Sequence, residues 1–549
     1  MASAAEITLT PTAGRAARGF QLYGLFLSAV GSAILVALAL LRTGDAFVYT
    51  LDDPYIHLAV AESILAGGYG VNVGEFASPS SSILYPYILA GLLALGLGTW
   101  APLAIAVPAM LAAVWLFCGL IWRFGIREDD RAARLFAYAI LPLALLAINA
   151  YGLPLTGMEH TLHVLAVLMV LSGLVGMVGA VGPVGGGPAD TRISTAILVA
   201  GLILAPLIRF EGLSVTLAGL LLLLWHRRFL AAAVTSAILV AAFGAYVAQM
   251  SSMGLPLLPS SVMVKSDISA GMMDDGMRGR AQDAVQQIIE ALVEGRGSLL
   301  LAGLVAILAA VWSRPARTDL NIAVAFLATV AIAGHLVAGE YGWFSRYEIY
   351  VVALMLAALV VLWGPRLNRS SMSRPVKAVG VTALLAITII PYATTTLLTP
   401  AASENIFLQQ QQMHIFATEH FPHPVAVNDL GFVAFDNDGH VLDLWGLGSE
   451  EARLRRARPD FGMRDLRELT EGAGTVYAMI YDDWFIGVIP PDWCRIAELQ
   501  TPRITAASDR VGIYLIDRAR EEEMRTALDR FVGILPTGAS LRPSDCTTG

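Results

Sequence analysis

Ile83-Leu84-Tyr85-Pro86-Tyr87-Ile88-Leu89-Ala90 opens an apolar segment that runs on to Gly98, and whether it crosses a membrane decides the topology of everything after it. The rest of the chain belongs with a membrane. Of 549 residues, 56% are hydrophobic and 15% charged, and mean hydropathy is +0.65. These values fit a polytopic membrane protein better than a water-soluble enzyme with a large core. The chain is also too long for one ordinary domain. Eleven other segments are apolar and near the length needed to cross roughly 30 Å of hydrocarbon. They are 21–41, 101–122, 133–150, 157–178, 193–208, 212–225, 229–250, 298–312, 320–337, 348–363 and 376–398. Residues 1–19 are polar with scattered arginines and the first apolar run is long enough to span, so no cleavable signal peptide is expected.

Loop charge decides the reading of 83–98, because Lys and Arg collect on the cytoplasmic side. If the segment lies at the interface, Arg15 and Arg18, the Arg123–Arg134 cluster, Arg192, Arg227 with Arg228, Arg314 with Arg317, and Arg366 to Lys377 all fall on that side. If it crosses, the first loop and the later basic loops contradict one another. The expected fold is therefore a polytopic α-helical membrane domain, residues 1–399, with about eleven transmembrane helices. Its first outer loop, 43–100, contains an interfacial helix, and residues 400–549 form an extracytoplasmic α/β domain.

That tail carries about 23 Asp and Glu against about 14 Arg and no Lys, which accounts for all of the net charge of −8 and leaves the membrane part close to neutral. Short β-like runs at 424–428, 440–444, 475–481 and 511–517 alternate with helical stretches at 463–470 and 521–531. Cys494 and Cys546 both lie there and could pair in an oxidising compartment, whereas Cys118 sits in an apolar segment as a small packing residue. Segment 182–188 is Gly- and Pro-rich and reads as a flexible cytoplasmic loop. No basic face or motif suggests nucleic-acid binding, and no internal repeat is evident.

With this orientation the polar residues that need explaining converge on the outer face. Leu51-Asp52-Asp53-Pro54-Tyr55-Ile56-His57 follows the first span, and ionised groups at a membrane surface are costly without a task or a partner. Asp53 before Pro54 is a good N-cap, but that leaves Asp52 and His57 unexplained. An Asp there can equally serve as a general base toward a hydroxyl. Glu62 reads as a solvated residue further along the same helix. Arg209, followed by Glu211 as an orienting partner, either snorkels or contacts a phosphate. Lys265 and Arg346, the latter beside Tyr347, supply two more outward cations. Glu159 opens a span and either stabilises its positive end or orients substrate hydroxyls or a metal. The loop 251–297, with Met and Gly clusters, reads as a gate over the site.

Base and cations at lipid depth suggest a reaction between a lipid phosphate and a hydroxyl. Nucleotide sugars are not available outside the cytoplasm, so a sugar transferred there would arrive on a polyprenyl phosphate. A transporter or flippase for a lipid-linked glycan is the main alternative, but such proteins often carry repeats and midplane polar groups. A membrane-anchored polysaccharide-binding protein would leave the Asp-Asp loop without a task.

These residues resemble the GT-C superfamily of membrane glycosyltransferases. The features are the Asp52-Asp53 run, Ala61-Glu62 through Gly68-Tyr69-Gly70, Asn72 to Glu75, Gly157-Met158-Glu159, Arg209-Phe210-Glu211-Gly212, and Val425-Ala426-Val427-Asn428-Asp429-Leu430-Gly431 followed by Val441 to Leu447. Within it, the chain is most similar to the branch containing the mycobacterial terminal arabinofuranosyltransferase. Pro54 and Ser78 to Ser82 depart from that branch's pattern. The resemblance implies an inverting transfer from a polyprenyl-phosphate sugar to a hydroxyl of a cell-envelope glycan or glycolipid, at the outer face of a bacterial cytoplasmic membrane. It further implies an acidic base in the first loop, Asp53 before Asp52, with a divalent cation optional.

Overall fold

The computed structural model describes residues 11–179, 188–265, 296–312 and 318–546. All eleven expected spans are helical in it, and eight helices among the described residues are long and apolar enough to cross a membrane. Arg131–Ala147, Gly212–Trp225 and Arg296–Trp312 are shorter. Their ends are set by local chemistry. Asp130 caps the first of them by accepting from the backbone N–H groups of Ala132 and Ala133, and Thr318 caps Asp319–Ala338 through Asn321. The protein is a polytopic helical membrane protein with a C-terminal α/β sheet domain.

Segment 83–98 forms the helix Tyr85–Ala94, ten residues long. At 1.5 Å per residue that covers about 15 Å, half the hydrocarbon thickness, so it cannot span. Ser82 Oγ accepts from the Tyr85 N–H, and left-handed Gly96 and Gly98 end the run. The Leu84 N–H donates to the Leu207 carbonyl, which ties this helix to the end of Pro188–Ile208.

Two helices lie at the centre of the bundle. Within their spanning windows, 72% of the residues of His160–Val178 and 78% of those of Ile349–Arg369 are buried, against 28% in the first span and 22% in Phe229–Ser252. Glycines let neighbours press against this core. A Cβ on Gly173 would stand 2.5 Å from the Leu198 nitrogen, and one on Gly201 2.7 Å from the Ala166 carbonyl oxygen, so helices 160–178 and 188–208 touch backbone to backbone.

The last span does not stop at the membrane. Arg374–Leu408 continues through Gln410–Ile415 and Phe416–His420 into the tail. The tail sheet comprises β1 (Val425–Val427), β2 (Val441–Asp443), β3 (Tyr477–Ile480), β4 (Cys494–Gln500), β5 (Arg510–Leu515) and β6 (Ser540–Pro543), in the order β2-β1-β3-β5-β4-β6. β1 pairs parallel with β2 and β3, with Val425 opposite Val441 and Tyr477; the remaining pairs are antiparallel. β4 and β6 were not expected from the sequence, because Arg495-Ile496-Ala497-Glu498-Leu499 is as compatible with a helix as with a strand. Cys494 and Cys546 form a disulfide, while Cys118 is buried and unpaired. The open edge of β2 is covered by the first loop: Asn72 donates to the Val441 carbonyl and accepts from its N–H, both at 2.9 Å.

Candidate active site

Four helices begin at the end of the bundle that meets the tail, and each begins on a carboxylate. Asp53 is the first residue of Asp53–Leu65, and Glu159, Glu211 and Glu348 immediately precede His160–Val178, Gly212–Trp225 and Ile349–Arg369. The positive ends of helix dipoles favour negative charge there. The last two helix starts are joined to the first two by arginines.

Arg209 sits in the tight link before Gly212, where a Cβ would come within 2.4 Å of the Ala205 carbonyl. Its guanidinium donates at 2.7 Å to Glu159 and at 2.7 Å to Glu211. Ser81 Oγ bridges Arg209 and Glu159, accepting from the guanidinium at 3.4 Å and donating to the carboxylate at 3.2 Å. His57, one turn along from Asp53, lies with Nε2 3.6 Å from the other Glu159 oxygen. Burial opposes every charge in this group, and pairing decides the outcome. Against its partial burial, the Glu211 carboxyl is held down at about 2 by Arg209. Against its own burial, Glu159 is held below the usual carboxylate range by Arg209 and then His57. Arg209, also buried, is raised by the two carboxylates.

Arg346 reaches Asp53 at 2.9 Å from a residue only 1% exposed. It is delivered by an unusual turn. Gly342, Trp343, Phe344 and Ser345 all have left-handed φ, of 80°, 40°, 64° and 55°. Three successive non-glycine residues in that region are strained. The surroundings hold them there: Glu348 accepts from the Gly342 N–H, and Arg296 pairs with Glu348 and donates to Ser345 Oγ. Tyr347 lies between two guanidiniums, 4.9 Å from Arg346 and 5.4 Å from Arg209 by ring centroid, and accepts from Arg346 through its hydroxyl. Although buried, Arg346 is raised by Asp53. Among the described residues its Nε and Nη1 have no hydrogen-bond partner.

The two adjacent aspartates do different work. Asp52, not Asp53, occupies the N-cap position, and its side chain makes no cap bond. Instead its carboxylate accepts from the Gly431 and Phe432 N–H groups of the tail, at 2.6 and 2.8 Å. The fit leaves no room: a Cβ on Gly431 would stand 2.2 Å from the Asp52 carbonyl oxygen, and Tyr55 stacks on Phe432 at 3.9 Å. Beside it lies Asp429, which accepts from Tyr481 and Gln410, each at 2.8 Å, and hydrogen-bonds Asp52. Burial and then the Asp429 charge push Asp52 well up, and burial pushes Asp429 up too. The pair therefore keeps a proton between them to higher pH than a lone carboxyl would.

Because folding raises the affinity for that proton, the contact has full strength below the ordinary carboxylate range and weakens as pH rises through the raised value. The thermal midpoint of the full-length protein in detergent is expected to fall as pH rises over that window. Asp429→Asn, which supplies a permanent donor, should flatten the slope. An unchanged slope in that variant would show that the pair does not carry the dependence.

Seven residues expected on the outer face thus form one continuous network: Asp53, Arg346, Tyr347, Arg209, Glu159, Glu211 and His57. Three expectations are corrected. Asp53 is not a side-chain N-cap. His57, which as a lone interfacial histidine would ordinarily be a hydrogen-bonded surface residue, is buried. Glu62 is not solvated, since it is partly buried and accepts from the Asp436 N–H, and burial raises its carboxyl to about 7. The Lys265 side chain, the Gly- and Pro-rich residues 182–187, and the greater part of the expected gate, 266–295, lie outside the described residues. Asp429, Tyr481, Gln410 and Ser81 were not picked out as site residues. Their only sequence signal is that Asn428-Asp429-Leu430-Gly431 and Ser78 to Ser82 stand out as motifs.

Among the described residues the donor set does not fit a resident divalent cation. No group of three or more His, Cys, Asp or Glu among the described residues is arranged to hold one, and Asp52 and Asp53 are engaged by backbone N–H groups and by Arg346.

Residues 404–514 match a family described as "Domain of unknown function (DUF8728)". No curated protein matches the chain. Among solved structures it is similar to ArnT from Cupriavidus metallidurans in the apo state, at 14% identity and a TM-score of 0.47, over 89% of this chain and 98% of that one. The same protein bound to undecaprenyl phosphate gives 12%, 0.46, 88% and 97%. The archaeal oligosaccharyltransferase AglB from Archaeoglobus fulgidus, in complex with an inhibitory peptide and a dolichol-phosphate, gives 12%, 0.45, 95% and 76%.

Proposed function

We propose that this protein is an inverting glycosyltransferase of the GT-C type that moves a sugar from a polyprenyl-phosphate donor to a hydroxyl of a cell-envelope glycan or glycolipid. Within that superfamily we place it beside the terminal arabinofuranosyltransferase branch, on the strength of its Asp-Asp loop. The observation that carries the reading is the Asp53–Arg346 pair, 2.9 Å apart at a helix start on the rim of the membrane domain. A carboxylate with an 18% exposed side chain is set beside a guanidinium whose Nε and Nη1 have no partner among the described residues.

In the reaction, Arg346 binds the donor phosphate through those two N–H groups. Asp53 accepts the proton of the acceptor hydroxyl as its oxygen attacks the anomeric carbon from the face opposite the phosphate. The new C–O bond forms as the bond to the phosphate oxygen breaks. Polyprenyl phosphate leaves with the electron pair, its charge met by Arg346. The Arg209 cation is already shared by Glu159 and Glu211, which leaves that group with a net negative charge, so it serves to fix Tyr347 and the helix starts and not to hold the donor phosphate. A phosphate leaving group paired with arginine needs positioning and a base more than it needs a metal.

We place the site on the extracytoplasmic side of a bacterial cytoplasmic membrane. The Cys494–Cys546 disulfide supports this, because such bonds persist in oxidising compartments. The basic residues at the opposite end of the bundle, such as Arg127, Arg131 and Arg374, support it by the positive-inside rule. Val73, in the first loop, is 94% exposed. In intact cells Val73→Cys, made in a Cys118→Ala background, should react with an impermeant maleimide from outside. Labelling only after the membrane is permeabilised would overturn the orientation. The activity itself is tested by release of polyprenyl phosphate from polyprenyl-phosphate sugars by the purified protein. The absence of release from every pentose and hexose donor offered would remove the transferase reading.

A further inference from the structure

The carboxyl ends of the three parallel strands carry a second cluster that the transfer chemistry does not use. Just beyond β2 and β3 stand Trp445 and Trp484, with ring centroids 4.3 Å apart. Tyr481 meets Trp484 edge-on at 5.5 Å, and the Arg456 guanidinium lies 3.9 Å over the Trp445 ring. Both tryptophans remain partly exposed despite their size.

Each is held on a built turn. Asp443 at the end of β2 accepts from the Trp445 and Gly448 N–H groups, at 2.8 and 2.7 Å, around left-handed Gly446. Asp482 at the end of β3 accepts from the Tyr514 hydroxyl and pairs with Arg495, which fixes the turn that carries Trp484. At the end of β1, Asn428 accepts from the Tyr481 N–H, while its own Nδ2, in a residue 3% exposed, has no partner among the described residues.

This combination suits one kind of ligand. A sugar ring has an apolar C–H face that packs flat on an indole and a rim of hydroxyls that needs carboxylate, amide and guanidinium partners. The crevice beyond the carboxyl ends of parallel strands is also where open α/β sheets bind ligands. Side-chain contacts connect the cluster with the aspartate loop: Trp484 packs edge-on against Tyr481, Tyr481 donates to Asp429, and Asp429 hydrogen-bonds Asp52 next to Asp53.

We propose that Trp484, supported by Trp445 and Tyr481, is a saccharide subsite that binds the acceptor as a glycan chain, with sugar units stacked on the tail while the terminal hydroxyl meets Asp53; this rests on the transferase reading above. The acceptor class is then an oligosaccharide or polysaccharide, and a lipid without a sugar chain would not engage the site.

The test uses full-length protein in detergent and a panel of soluble tetrasaccharides (manno-, galacto-, gluco- and arabino-tetraose), with saturation transfer from protein to sugar protons as the readout. At least one member should bind wild-type protein. Trp484→Ala should weaken that binding about tenfold, as removal of an aromatic anchor does, and Trp484→Phe should restore most of it. Failure of every tetraose to bind, or equal binding to Trp484→Ala, overturns the subsite and leaves the transferase reading to polyprenyl-phosphate release alone. Binding through Trp484 with no release from any donor would keep the subsite and remove the transferase reading.

Discussion

Asp53→Asn is expected to lower the rate of polyprenyl phosphate release by about 10²–10⁴-fold, the usual contribution of a positioned general base. The substitution keeps shape and leaves an acceptor oxygen for Arg346, so folding and donor binding should persist. The loss should appear in kcat, with KM for the donor unchanged or lower, because Arg346 is then no longer neutralised by the base. Asp52→Asn should behave differently. Its carboxylate is satisfied by the Gly431 and Phe432 N–H groups, and an Asn side chain has one oxygen to offer two donors. The defect should be in tail docking, seen as a lower thermal midpoint, before it is seen in the chemistry. Full turnover in Asp53→Asn would disqualify it as the base, whatever Asp52→Asn does.

Arg209→Met should give the largest loss of stability of any single change at the site. Arg209 is 6% exposed and is the shared cation of Glu159, which is fully buried, and Glu211. Removing one member of a buried ionic group typically costs about 3–5 kcal/mol, because the remaining charge is left uncompensated. Here two carboxylates are left, against a total stability on the order of 10 kcal/mol for a typical domain. We expect little folded protein on size-exclusion chromatography in detergent. The triple variant Arg209→Met with Glu159→Gln and Glu211→Gln should recover much of the yield, since it removes the stranded charges. A single variant that melts like wild type would show that this group does not hold the helix starts together.

How legible the site was depends on which interaction is asked about. The positions of Asp53, Glu159, Arg209 and Arg346 at one end of the bundle follow from span lengths and loop charges, both readable locally. Their partners do not. Arg209 is as compatible with snorkelling into headgroups as with two carboxylates 50 and 2 residues away, one of them fully buried. The left-handed turn before Arg346 is written in Trp-Phe-Ser, residues that ordinarily avoid that conformation, so no propensity could announce it. β4 was missed for a similar reason: its residues suit a helix as well as a strand, and pairing with β5 decides.

Asp52 and Asp53 mark the boundary between the two kinds of knowledge. Composition, hydropathy and the distribution of arginine pointed to a polytopic helical protein, a first loop whose apolar segment does not cross, and an acidic α/β tail; the ten-residue length of that helix came from the structure. Hydrophobic length and loop charge act on each segment separately, so one dimension suffices for them. Which aspartate meets Arg346 and which meets the tail was decided only by the tertiary structure. Two N–H groups at Gly431 and Phe432 claim one carboxylate, and a guanidinium at residue 346 claims the other. A carboxylate's task is set by what lies within 3 Å of it, and here that distance is closed by chain folded back from some 300 to 400 residues away.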